Sequence, residues 1–298
     1  MKNYWSVKLL LGIICWMLIQ TSQLSAQTRL LIRCDDIGMC HSVNLAAKKL
    51  IEAGVPFSAS VMFACPWYLE AVEILKTYPN VSVGVHLTLN SEWKNYKWGP
   101  ILGKEIVPSL VDSNGHFFSS EEQFQKSNFK IEEIERELRA QIERALHSGL
   151  HIDYLDHHMG TAVSTPELRS LVEKLAGEYK LGISRYFNEA YQTLWADPPE
   201  NKLSRLLEIV SQLQIDRVNL LVIHLGLENP EMKALIDLNY PEDPFRVSQH
   251  RQVELDGLCS RAFEKELDQR HVKLVTYRDI ISQMGLKVMH RPQADQEY

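Results

Sequence analysis

Cysteine is scarce in this chain, five among 298 residues, and glycine (14) and proline (12) are modest. That composition excludes a small scaffold held by disulfides, a collagen-like chain and a Pro/Gly-rich disordered polymer. No fixed-period repeat or low-complexity tract is visible, which sets aside solenoids and propellers. Positive charge is not in excess: 32 Lys and Arg face 38 Asp and Glu, a formal charge of −6. No nucleic-acid partner is therefore expected, because binding a phosphate backbone needs a basic surface. No Gly-rich loop follows the first expected strand and no G-x-x-x-x-G-K-[ST] occurs, which argues against dinucleotide and phosphate-loop sites.

No apolar run reaches the roughly 20 residues of a membrane-spanning helix. The longest stretch at the N-terminus, Leu9 to Ile19, follows Lys2 and Lys8 and precedes a polar segment ending in Ala26. A positive start, a short apolar middle and a small-residue end read as a secretory signal peptide over 1–26. The expectation is an exported protein, periplasmic or extracellular, beginning near Gln27; an uncleaved N-terminal anchor is the alternative. Cys34, Cys40, Cys65 and Cys259 would remain. They allow three disulfide pairings or four free thiols, and the sequence does not choose.

What is abundant is apolar material, 45% of the residues, enough for a large core. Apolar, β-branched runs predict strands over 28–34, 58–63, 81–87, 152–155, 218–224 and 272–275. Helical periodicity predicts helices over 44–53, 67–77, 131–148, from Pro166, and over 202–213, 247–269 and 279–284. The segment 90–128 reads as loops of the kind that build substrate sites. Strands alternating with helices and no break in composition predict one α/β domain over 27–298. The expected form is a distorted (β/α) barrel of about seven parallel strands.

In such folds chemistry gathers at the C-terminal ends of strands. Four expected strand ends carry candidates: Asp35-Asp36, His86, Asp156-His157-His158, and His224. Taken singly, each has a plain reading: adjacent aspartates cap turns, and histidines are often buried and satisfied. Jointly they supply ligands for a zinc-like divalent ion, with an open position for water and a spare carboxylate as base. His41, His116, His147, His250 and His271 read as structural or solvated.

The stretches LLIRCDDIGMCHSVN (30–44), VGVHLTLNSEW (83–93), DYLDHHMGT (153–161) and LLVIHLG (220–226) resemble the YdjC-like (ChbG) carbohydrate deacetylases. So does the closing VELDGLCSRAFEKEL…VKLVTYRDI (253–280). The resemblance covers nearly all of the chain after residue 26. It implies a barrel-like α/β fold and metal-dependent removal of N-acetyl groups from amino sugars such as chitooligosaccharides. By motif match, Asp36, His86 and His158 would hold one divalent ion, zinc first, with magnesium or another ion as alternatives. Asp35 would be the general base, and His224 the acid or oxyanion partner. Where the family pattern reads His-x-Asp-x-His, Tyr154 stands at the first position. A register starting at His151 would need Leu155 as a ligand, so His158 is kept, with Asp156 expected as the carboxylate behind it.

The expected mechanism has Asp35 take a proton from the attacking water while a protonated His224 helps the amine leave. Trp93, Tyr96 and Trp98 are candidates for stacking on sugar rings or for core packing, and Arg185 and Arg246 for substrate contact. The implied partner is an N-acetylated oligosaccharide or glycan, and a homodimer is left open. The alternatives are another metal-dependent amide or phosphoester hydrolase on the same fold, or a non-catalytic glycan-binding relative.

Overall fold

The computed structural model describes residues 27–240 and 246–292. The segment 1–26, read above as an export signal, lies outside them. The strands are β1 (Arg29–Ile37), β2 (Ser58–Val61), β3 (Ser82–Leu87), β4 (Ile152–His157), β5 (Gly182–Ile183), β6 (Ala190–Thr193), β7 (Val218–His224) and β8 (Lys273–Val275). The helices are α1 (His41–Glu52), α2 (Tyr68–Thr77), α3 (Glu121–Lys126), α4 (Ile131–His147), α5 (Pro166–Tyr179), α6 (Lys202–Ser211), α7 (Pro230–Lys233), α8 (Arg246–Leu258), α9 (Arg261–Gln269) and α10 (Tyr277–Met284).

Seven parallel strands run in the order β5-β4-β3-β2-β1-β7-β6 and curl into a half-barrel. The eighth, β8, pairs with the first residues of β1, while β2 pairs with its later residues. Among the described residues no ladder joins β5 to β6. The expected single helix over 247–269 is two, because Ser260 interrupts it and caps α9 by accepting from Phe263 N. The strands β5 and β6 went unread in the sequence; two and four residues are too short to carry a period-2 signal.

Alternation along each strand separates two cores. Leu31 of β1, Tyr154 of β4 and Val218, Leu220 and Val222 of β7 pack inside with Tyr277. Leu30, Ile32, Val83, Val85, Leu221 and Ile223 face the helices. The same alternation puts Arg33, Asp35, His86, Asp156 and His224 inside, one layer above the apolar floor. Gly84 is required at its place: a Cβ there would lie 2.4 Å from the Tyr154 ring.

Buried polar side chains tether the long 90–128 segment to α4. Gln141 donates to Thr88 O and accepts from Thr88 N, both at 2.8 Å. Glu137 accepts from the backbone N–H groups of Ile101 and Leu102. The loops over the barrel mouth are therefore fixed by hydrogen bonds as well as by packing. Cys34, Cys40, Cys65 and Cys259 are all free thiols, the first three buried.

Candidate active site

Two adjacent residues of a regular strand point to opposite faces, so Asp35 and Asp36 should not both reach the barrel mouth. They do because Asp36 sits at φ 62°, in the left-handed region that few non-glycine residues adopt. The β1–β2 register shifts over the same residues, between Cys34 and Ile37. This bend breaks the alternation and turns Asp36 toward His86 and His158. Backbone strain of this kind is kept where the surrounding structure enforces it.

The three expected ligands converge. Asp36 Oδ1 lies 3.3 Å from His86 Nε2 and 3.2 Å from His158 Nδ1. Neither approach is directed as a hydrogen bond, which leaves Asp36 Oδ1 buried and unsatisfied. One ligand atom from each of the three residues falls within 4.8 Å of the others. The second nitrogen of each imidazole is held by a carboxylate: His86 Nδ1 by Asp156 Oδ2 at 2.8 Å, His158 Nε2 by Glu92 Oε2 at 2.9 Å. A carboxylate behind each histidine is the pattern that orients imidazole ligands around a metal. The residues present thus fit a divalent ion between Asp36, His86 and His158.

Asp156 was expected behind His158 and instead stands behind His86. The parallel β3–β4 ladder sets His86 directly opposite Asp156, whereas His158 lies beyond the end of β4. Its carboxylate comes from Glu92, on the loop after β3, which sequence reasoning missed. A second cluster, Asp35, His86 and Asp156, also brings ligand types together. It already has its cation. The Arg33 guanidinium grips Asp35 through Nε and Nη2, both at 2.7 Å, and reaches Asp156 Oδ1 with Nη1 at 2.7 Å.

Burial would lower the His86 and His158 pKa values, but the surrounding carboxylates outweigh it. His86, beside Asp35, Asp156 and Asp36, rises to about 9, and His158, beside Glu92 and Asp36, to about 10. Asp36 moves the other way. Burial raises its pKa, yet Arg251 at 2.5 Å and the two imidazoles hold it well below the carboxylate range. Arg251, on α8 and fully buried, was also not anticipated.

His224 sits opposite Asp35 in the β1–β7 ladder. Its backbone N–H donates to Glu254 Oε2 at 2.7 Å, and Glu254 is itself paired with Lys202, both side chains fully buried. Burial lowers the His224 pKa to about 4, so its imidazole is neutral near pH 7. The ring stands 5.0 Å from that of Trp195.

These groups open onto a cleft of about 410 Å³, walled by Trp195, Tyr191, Tyr240 and Met159. Trp93 reaches the cleft but is only 1% exposed; its Nε1 donates to Met39 Sδ, and it packs as core. Trp98 is buried too, donating to Asn90 O. Of the two expected arginines, Arg185 lines the cleft with its guanidinium 4.5 Å over Tyr191. Arg246 stands behind the wall, stacked on Tyr240 at 4.7 Å and Trp195 at 5.4 Å, and braces the aromatic surface.

The family model described as YdjC-like protein matches residues 29–269, which span every strand end named above. The chain belongs to the YdjC-like family. A carbohydrate deacetylase of Enterococcus faecalis is 27% identical to this YdjC-like chain over 266 residues, 85% of this chain and 98% of that protein. One from Brevibacillus brevis is 33% identical over 155 residues, 52% of this chain and 58% of the relative. A crystal structure from Enterococcus faecalis V583, described as a cellobiose-phosphate cleavage protein, has a TM-score of 0.68 at 25% identity. It covers 85% of this chain and 99% of that one.

Proposed function

We propose that this YdjC-like protein is a metal-dependent hydrolase that removes N-acetyl groups from amino sugars of oligosaccharides, chitooligosaccharide-like in class. The observation that carries the reading is the convergence of Asp36, His86 and His158, each imidazole backed by a carboxylate, at the floor of an aromatic-walled cleft. The relatives named carbohydrate deacetylase support it.

Bound between these three residues, a divalent ion, zinc by preference, supplies an acidified water and a polarised acetamide carbonyl. Asp35, beside the ligand set and outside it, receives the proton of the attacking water. Arg33 fixes its two oxygens, so the carboxylate needs no reorientation as the proton arrives. The low pKa of His224 supports the oxyanion role rather than that of a resident imidazolium. A neutral ring donates its N–H to the carbonyl oxygen as that oxygen gains charge. The tetrahedral intermediate then loses the sugar amine, which takes up the proton gained by Asp35, and acetate remains.

Export is proposed with it, on the Lys2/Lys8 start, the short apolar run and Ala26. The functional test is a screen of N-acetylated oligosaccharides for acetate release with and without added divalent ion. Stoichiometric acetate and free amine are expected, and release of a different product, such as phosphate, would point to another hydrolase on this fold.

A further inference from the structure

Asp237 is a buried carboxylate that the mechanism above does not use. It follows α7, lines the cleft and is only 7% exposed. Among the described residues no ion pair includes it. One oxygen, Oδ1, accepts from the backbone N–H of Asn239 at 2.8 Å and from its Nδ2 at 3.0 Å. Among the described residues Oδ2 accepts no hydrogen bond, and it stays open to the cleft. Burial and the nearby charge of Glu92 push its pKa up against the Asn239 contact and the attraction of His158.

Its orientation is fixed relative to the ligand set. Residues 93 and 237 form an antiparallel bridge, Lys94 N donates to Ile236 O, and Leu238 N donates to Glu92 O. Asp237 is thus stapled to the segment whose Glu92 holds His158. It belongs to neither cluster of metal-ligating atoms. A carboxylate held rigidly at the cleft wall, with one oxygen that accepts no hydrogen bond from the described residues, suits a neutral donor and repels an anionic one.

Building on the deacetylase reading, we propose that Asp237 is the specificity residue of the cleft. Its free Oδ2 accepts a hydrogen bond from a hydroxyl of the sugar ring that carries the acetamide, and so sets that ring's orientation over the metal-ligating residues. A site built to bond a hydroxyl discriminates strongly against an analogue lacking it.

The test compares wild type with Asp237→Asn on N-acetylglucosamine oligosaccharides of two to four units and on monodeoxy versions of them. The carboxamide oxygen still accepts from Asn239, while an NH2 replaces the free acceptor. The expected result is a kcat/KM lower by roughly 10- to 100-fold, mostly through KM, with metal content and melting temperature unchanged. One deoxy analogue should lose a similar factor with wild type and little more with the variant. Equal kcat/KM for wild type and variant, or undiminished deoxy penalties in the variant, would overturn the role of Asp237 and leave the deacetylase reading standing. Ligand-observed NMR with the same sugars separates the other failure. Binding without acetate release, weakened in the variant, removes the deacetylase reading and keeps Asp237 as the sugar contact. No binding by wild type removes both.

Discussion

Arg33 and Asp35 share one strand and one face, two residues apart, and the guanidinium closes on both carboxylate oxygens at 2.7 Å. The same side chain reaches Asp156 at 2.7 Å and Ser184 Oγ at 2.6 Å. One cation thereby bridges two buried acids, the second of which is shared with His86, and it divides the two adjacent aspartates: Asp35 is occupied by arginine, and Asp36 presents an unsatisfied oxygen to two imidazoles.

Removing that cation should be severe. Arg33→Met strands Asp35 and Asp156 in the interior, and breaking a buried pair from one side costs about 3–5 kcal/mol. Arg33→Lys should restore only part, since an ammonium cannot span both oxygens of Asp35 and reach Asp156 as the fork does. Denaturant unfolding of the two variants checks this. A Met variant as stable as wild type would show that the pair contributes nothing net.

Glu92 is expected to act through His158. Glu92→Gln keeps the shape but weakens the bond that orients the imidazole, and such outer contacts typically change metal affinity by about 10–100-fold. Acetate release should fall at limiting ion and recover with excess ion, followed by metal titration. Loss that excess ion does not recover would assign Glu92 a different role.

The metal-free protein should respond to alkali. His86 and His158 titrate near 9 and 10 in the fold, above the ordinary imidazole value near 6.5. A raised folded pKa means that the stabilisation is fully present below about 6.5 and is lost as pH rises through those folded values. The melting temperature of the chelated protein should therefore fall between pH 7 and pH 10. Ion uptake at pH 7 should release a proton from each imidazole, because a ligating nitrogen cannot keep one. Calorimetry in two buffers of different ionisation enthalpy measures that release; uptake with no protons released would place the ion elsewhere.

Much of this site is legible in the residues because β1, β3 and β7 are long apolar runs that end abruptly in Asp35, His86 and His224. Period-2 alternation then sets those ends on the inner face. What the sequence hides comes from pairing and from distance along the chain. Whether Asp156 backs His86 or His158 is decided by the β3–β4 register, which no single strand encodes. Asp237 and Arg251 arrive from a loop and a helix far along the chain, and Glu92, although it lies within VGVHLTLNSEW, has no spacing that pairs it with His158. Arg33 did carry a signal, a lone cation inside the apolar run LLIRC, because a charge there must find a buried partner. Trp93 shows the opposite failing: an aromatic beside a candidate ligand suggests a stacking platform, yet its burial makes it core, and Trp195, Tyr191 and Tyr240 form the wall.

His86→Ala should lose bound ion and activity together, since it deletes one of three ligands. His224→Ala should keep the ion and lose about 10²–10³-fold in kcat, the scale of one oxyanion donor. Metal analysis beside steady-state kinetics distinguishes the two patterns. Ion loss in the His224 variant would move that residue into the ligand set.

The most direct measurement of the account is acetate release by Asp35→Asn, made beside its metal content. The amide keeps the size and polarity of the side chain and removes its basicity. With Asp35 as the base, the variant retains near wild-type ion and fold while its rate falls by about 10²–10⁴-fold. If Asp35 only completes the ion pair with Arg33 at the end of β1, the variant deacetylates at close to the wild-type rate, and that result would contradict the mechanism.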